Sequence, residues 1–356
     1  MTRTLLAATI FATFAALGQA AVPAGANGFS LVWSDDFTGA ANTAPSSSWQ
    51  YDTGNGVFGT GEIETMTNSI KNVYQDGNGN LRLVALGSGT SWTSGRIETV
   101  RSDFAAPAGG ILAVEGRMQL PAVTGAAAAG YWPAFWMLGS TLRTGTSWPG
   151  CGEIDIMENI NGINEVFGTL HCGTSPGGDC NESTGLGGNK QNISPSLQSA
   201  FHVYRMELDL GANIIRWYID GTQYWQVASS AVSAATWTAA TNHGFFIILD
   251  LAMGGGFPDA FGGGPTSSTQ SGSPFIIDYV AVYTKAGSGG STGGTGSGCT
   301  QGSCGSGQCS CGGACYSASQ YTCIGTTLCP TGDQLCGTAC YSPSMYTCNG
   351  GTLQQV

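Results

Sequence analysis

The sequence predicts an all-β protein, an antiparallel sandwich followed by a small disulfide-rich module. From Phe29 to about Lys285, short apolar runs rich in β-branched and aromatic residues are separated by Gly, Asn, Asp and Ser. That is the pattern of strands and turns. Glycine is abundant at 57 residues while only 9% of positions are charged, which favours a loop-rich extracellular chain over a helical one. Of the 13 cysteines, all but Cys151, Cys172 and Cys180 lie between Cys299 and Cys348, which predicts a segment held by disulfides in an oxidising compartment.

The regions follow in order. Residues 1–20, MTRTLLAATIFATFAALGQA, carry one basic residue, Arg3, before an apolar run ending in small residues. This predicts a secretory signal cut near Ala20. Residues 21–285 form the expected main domain, 286–298 (AGSGGSTGGTGSG) a flexible linker, and 299–356 a cysteine-rich module. The net charge of −11 argues against nucleic acid or an anionic membrane as partner, since both would repel the chain, and leaves a neutral polymer acceptable. A secreted or wall-associated monomer is expected.

Within 21–285 the strand-like runs are LRLVAL, RIETVRSDF, GRMQLP, FHVYRMELDL, IIRWYIDG, FFIILDLAM and FIIDYVAVYT, and NIIRWYIDGTQYWQV reads as a hairpin turning at Asp220-Gly221. Many short strands without a long amphipathic helix favour a sandwich wide enough for one face to form a groove. Cys172 and Cys180 bracket a short loop and can pair, leaving Cys151 free. The sequons at Asn181 and Asn192 lie just beyond that loop and suggest that it is exposed.

The terminal module repeats itself: CGGACYSASQYTC (311–323) returns as CGTACYSPSMYTC (336–348). So short a segment buries little core, so disulfides must supply most of its stability. Its tyrosines, Tyr316, Tyr321, Tyr341 and Tyr346, are expected to present faces on which sugar rings stack; the alternative is that they only cover the disulfides.

The segment WPGCGEIDIMENING, 148–162, places three acids in the six residues EIDIME. On a regular strand Glu153, Asp155 and Met157 share one face and Glu158 falls on the other. Cleaving a glycosidic bond needs two carboxyls flanking it, about 5–5.5 Å apart when one is a nucleophile and the other an acid that becomes a base. A β-bulge at Met157 or its neighbour would turn Glu158 back onto the face of Glu153 and Asp155. A second acidic run, GEIETMTN with Glu62 and Glu64, shows that such spacing alone does not define a site.

GEIDIME, with GYWPAFWMLG upstream and GTLHC downstream, resembles glycoside hydrolase family 16, which includes laminarinases and mixed-linkage β-glucanases. LVWSDDFTG, SGRIETVRSDF, EGRMQLP and FIIDYVAVYT extend the resemblance over most of residues 29–285. It implies a curved, concanavalin A-like jelly roll with the cleft on its concave face. By position it implies Glu153 as nucleophile and Glu158 as general acid/base. Asp155 would hydrogen-bond one of them and separate their pKa values, with His171 as an orienting group. Trp132 and Trp148 would contact sugar, while Trp136 or Phe135 is expected in the core. Phe257 stands where related enzymes often carry Trp. The extra Met157 resembles the laminarinase and broad-specificity branch, implying a retaining endo-β-1,3(4)-glucanase. The terminal repeats resemble carbohydrate-binding module family 52, associated with β-1,3-glucan. No cofactor is required; some relatives bind calcium on the convex face, for which Asp278 is the candidate. The rival readings are a wall-remodelling transglycosylase and a non-catalytic β-glucan-binding protein.

Overall fold

The computed structural model describes residues 21–55 and 59–287 and, in the terminal module, 309–311, 314–317, 321–324, 327–330, 333–336, 339–342, 345–349 and 352–355. The expected signal and the expected linker beyond Gly287 lie outside them.

Residues 21–285 form a sandwich of two antiparallel sheets, together with a smaller four-stranded sheet of Gly54–Asn55, Glu64–Met66, Ser91–Ser94 and Leu86–Ser88. One has seven strands in the order Leu186–Gln191, Glu165–His171, Glu153–Glu158, Tyr131–Gly139, Phe245–Met253, Arg96–Thr99 and Trp49–Tyr51. The other has eight and is centred on Ile111–Gln119 and Pro274–Lys285. Each of the seven apolar runs singled out above contains a strand. The hairpin turns where expected, with Asp220 at φ 47° and Gly221 at φ 73° between Ile214–Ile219 and Thr222–Ala228. Helix is confined among the described residues to short pieces such as Ala234–Thr241, whose first turn is capped by Ser233.

Strand alternation divides the residues between core and surface. In His202–Asp209 every second side chain is buried, and Ile214–Ile219 follows the same rule. Phe135, Met137, Ile154, Ile156, Leu170, Ile247 and Leu249 from the seven-stranded sheet meet Val114, Tyr204, Met206, Trp217, Val280 and Val282 from the other in one fully buried cluster. Burying each large apolar side chain contributes about 1.5–3 kcal/mol, so this interface holds the sheets together and leaves the opposite face of the seven-stranded sheet free to carry polar groups.

On the eight-stranded sheet, Asp278 is 1% exposed and its Oδ2 lies 2.5 Å from Arg117 Nη1.

The described residues of the terminal module form four short antiparallel ladders, two per repeat: Cys309–Cys311 with Ala314–Tyr316, Tyr321–Ile324 with Thr327–Pro330, Gln334–Cys336 with Ala339–Tyr341, and Tyr346–Asn349 with Thr352–Gln355. Cys311–Cys323 and Cys336–Cys348 occupy the same place in each repeat, and Cys329–Cys340 ties one repeat to the other. The expectation for the tyrosines is corrected by half. Tyr316 and Tyr341, equivalent in the repeats, are buried; Tyr316 packs with Cys311, Cys323 and Leu328 and covers the disulfide. Tyr321 is 43% exposed and its equivalent Tyr346 is half-buried, so these two present ring surface.

Candidate active site

The site is built on the polar face of the seven-stranded sheet, around the strand Glu153–Glu158. Against Tyr131–Gly139 its register runs Glu153↔Leu138, Asp155↔Trp136, then Glu158↔Ala134, with a shift between the last two. Against Glu165–His171 the partners are His171, Thr169 and Phe167, with the same interruption between Asp155 and Glu158. Two residues, Ile156 and Met157, thus occupy the space of one. This is the bulge the sequence predicts: Met157 turns into the core with Ile154 and Ile156, and Glu158 returns to the face of Glu153 and Asp155.

Each glutamate is held by a tryptophan. Trp132 Nε1 donates to Glu158 Oε1 at 2.9 Å, and Trp148 Nε1 donates to Glu153 Oε2 at 3.0 Å. Trp148 is 37% exposed and lies against the His171 ring, with centroids 5.8 Å apart. Both indoles therefore stand at the carboxyls, where sugar rings would have to lie.

Asp155 differs from its expected contacts. It is 4% exposed, and its Oδ2 faces His171 Nε2 at 3.3 Å, not a glutamate carboxyl. His171 Nε2 also lies 3.9 Å from Glu153 Oε1, and its Nδ1 is 2.7 Å from Glu182 Oε2. Burial disfavours charge on the imidazole, but the hydrogen bonds to Asp155 and Glu182 and the charges of Asp155 and Glu153 outweigh it and push the pKa up to about 12. The carboxylates around His171 favour its protonated form. Glu153, Asp155 and His171 are close enough to share a metal ion.

The two glutamates differ in what opposes their protonation. Burial, then the charge of Asp155, pushes Glu158 well above the ordinary carboxylate range, against the Trp132 N–H and the more distant His171 charge. Burial and Asp155 push Glu153 the same way, but His171, the Trp148 N–H and Arg96 all favour its anion. Both carboxyls are raised, Glu153 to about 8, but more neighbours favour the anion at Glu153, so Glu158 is the better placed of the two to hold a proton.

Other residues on or near this face complete its surroundings. Phe135 is in the core as expected, whereas Trp136 lies on the site face, where its Nε1 donates to Asp250 Oδ1 at 2.7 Å and Arg96 covers its ring at 4.8 Å. Burial raises Asp250 and Glu64 each to about 7. Phe257 joins an aromatic group with Trp132, Phe167 and Phe261, all edge-to-face at 5.0–5.8 Å. Strand alternation would have placed Trp136 with Trp132; nothing in the sequence ties Glu182 to His171. Cys172 and Cys180 form the expected disulfide, Cys151 is free and buried, and both sequon asparagines are exposed.

A sandwich face with two carboxyls in unequal surroundings, each held by a tryptophan indole, is a glycoside-hydrolase site. Residues 122–202 match the family described as XgeA-like, catalytic GH16 domain, and residues 310–353 match a carbohydrate-binding family. The crystal structure of an endo-1,3-β-glucanase from Streptomyces sioyaensis is 52% identical, with a TM-score of 0.72, over 75% of this chain and 100% of that one. A β-glucanase of Rhodothermus marinus is 29% identical over 71% of this chain and 84% of its own length. The clotting factor G alpha subunit of Tachypleus tridentatus is 30% identical over 74% of this chain, which spans 35% of that protein. The chain belongs to glycoside hydrolase family 16.

Proposed function

We propose that this protein is a secreted, retaining endo-β-1,3(4)-glucanase that cuts internal bonds of β-1,3- and mixed-linkage glucans. The observation that carries the reading is the bulge at Ile156 and Met157, which sets Glu153, Asp155 and Glu158 on one face. Glu158 donates its proton to the glycosidic oxygen as Glu153 attacks the anomeric carbon. The C–O bond to the departing sugar breaks and a glycosyl ester on Glu153 forms. Glu158, now a carboxylate, takes a proton from water, whose oxygen displaces Glu153 and restores the starting state. The positive charge of His171 favours the anionic form of the nucleophile before it attacks, against burial and the charge of Asp155.

Relatives named as 1,3-β-glucanase and β-glucanase support the substrate class. The terminal module is read as a β-glucan-binding unit, with Tyr321 and Tyr346 as its stacking surface. Tethering a weak binder raises the local substrate concentration, so modest affinity suffices.

Product analysis on laminarin, barley β-glucan and cellulose tests the reading, with wild type beside Glu153→Gln. Short oligosaccharides from the first two substrates, absent with the variant, are expected. Products longer than a supplied oligosaccharide would move the reading to a transglycosylase, and binding without products would leave a glucan-binding protein.

A further inference from the structure

We propose that Glu182 is a positioning residue of the catalytic centre: its buried carboxylate holds His171 protonated and oriented between Asp155 and Glu153. The inference rests on the reading of Glu153 as nucleophile and deepens it.

Glu182 sits beyond the loop closed by Cys172–Cys180, in a stretch whose neighbours Asn181 and Ser183 are exposed. Its own side chain is fully buried. Both carboxylate oxygens are in use: Oε2 is 2.7 Å from His171 Nδ1, and Oε1 accepts the Cys172 backbone N–H at 2.8 Å. A buried carboxylate turned inward from an exposed loop is costly unless it has a charged partner, and the described partner is His171. The disulfide draws the loop back so that Glu182 meets the strand end at Cys172. The ring is also closed in by backbone, since a Cβ on Gly185 would lie 2.8 Å from His171 Cε1.

The charged groups facing His171 are Asp155 and Glu153, with Glu158 further off, from the strand Glu153–Glu158, and Glu182 from the loop after Glu165–His171. Trp148 supplies only an aromatic face. One proton is therefore shared between an imidazole and a set of carboxylates. With Glu182 charged, it stays on His171 and Glu153 is free to attack. With Glu182 neutral, the same number of protons can be arranged as neutral His171 and protonated Glu153, which is inactive. The balance shifts without any change in how sugar binds.

The test is ¹⁵N NMR of the imidazoles in the full chain, which has three histidines, with His171 assigned from the signal lost in His171→Asn. Wild-type His171 is expected to remain doubly protonated up to about pH 9, far above the ordinary His value of about 6.5. In Glu182→Gln it should become neutral in that range, and kcat on laminarin should fall about tenfold, the equivalent of one pKa unit, with KM within about twofold. Glu182→Asp, which keeps the charge, should restore part of both signals. A wild-type His171 that titrates near its ordinary value overturns the inference, whether or not the variants fold. So does a Glu182→Gln protein whose His171 stays protonated. A wild-type protein inactive on every glucan, with a His171 proton that still depends on Glu182, removes the glucanase reading and leaves the positioning in place.

Discussion

Trp217, in the core of the eight-stranded sheet, donates its indole N–H across the sandwich to the backbone carbonyl of Asp155 at 2.7 Å. Asp155 is the last regularly paired residue before the bulge, so its carbonyl stands where the ladder is broken. The tryptophan satisfies a buried acceptor that the bulge would otherwise leave alone. Close approach is allowed by Gly168, where a Cβ would lie 2.5 Å from Trp217 Cδ1. The shape of the active-site strand is thus held from behind by the opposite sheet.

Trp217→Phe should therefore cost stability and activity together. An unsatisfied buried carbonyl costs about 1–3 kcal/mol and the smaller ring adds a cavity cost. Urea unfolding should show a loss of at least that size, and kcat should fall because Glu158 is no longer fixed. A substitution at Trp225, at the sheet edge, should reduce stability with less effect on kcat.

Stability should decline between mildly acid and neutral pH through Glu64. Burial raises its pKa from 4.5 to about 7, so the folded state binds the proton more tightly. This contribution is fully present below pH 4.5 and lost as the pH rises through 7, at up to about 1.4 kcal/mol per pH unit for one proton. His171 also has a raised pKa; its contribution is full below pH 6.5 and lost only as the pH rises through about 12, so it does not cancel this trend. Glu64→Gln keeps an acceptor for the Met253 N–H, which Glu64 Oε2 receives at 2.8 Å. It should lessen the decline without abolishing it, since Asp250, also raised to about 7, and Glu153, raised to about 8, act in the same direction, as read by unfolding midpoints at pH 5 and pH 8.

The acidic pattern, the bulge, the strand set and the hairpin were legible because each depends on local periodicity. EIDIME breaks its own alternation, and only an extra residue restores it. Partners distant in sequence were not legible. Trp217 looks like any inward residue of an alternating strand, and Glu182 lies within an exposed sequon beside a disulfide loop. The repeat of the module showed that four tyrosines are equivalent in pairs, but not which pair faces inward. Trp136 and Phe135 are adjacent, so one must face each way, and pairing with Phe245–Met253 decided between them.

Phe257 should act on binding. It touches Trp132, Phe167 and Phe261, and each such aromatic pair is worth about 0.5–1.5 kcal/mol. Phe257→Ala loosens Trp132 beside Glu158 and should raise KM for laminarin by about twofold to tenfold. Steady-state kinetics on oligosaccharides of increasing length would show whether the loss grows with chain length.

In the module, exposure separates two roles. Tyr321→Ala should weaken retention on insoluble β-1,3-glucan and leave the unfolding midpoint unchanged, since its ring is exposed. Tyr316→Ala should lower the midpoint, since that ring covers Cys311 and Cys323. Pull-down on glucan particles paired with thermal unfolding distinguishes them.

The most direct measurement of the central claim is azide rescue of Glu158→Ala and Glu153→Ala on an aryl β-laminaribioside with a dinitrophenyl leaving group. That leaving group needs no acid, so Glu158→Ala should still form the glycosyl ester, and azide should speed turnover and give the β-glycosyl azide. Glu153→Ala should give the α-azide, formed by direct displacement. The opposite pairing of variants and anomers, or no rescue of either, would contradict the assignment of Glu153 as nucleophile and Glu158 as acid/base.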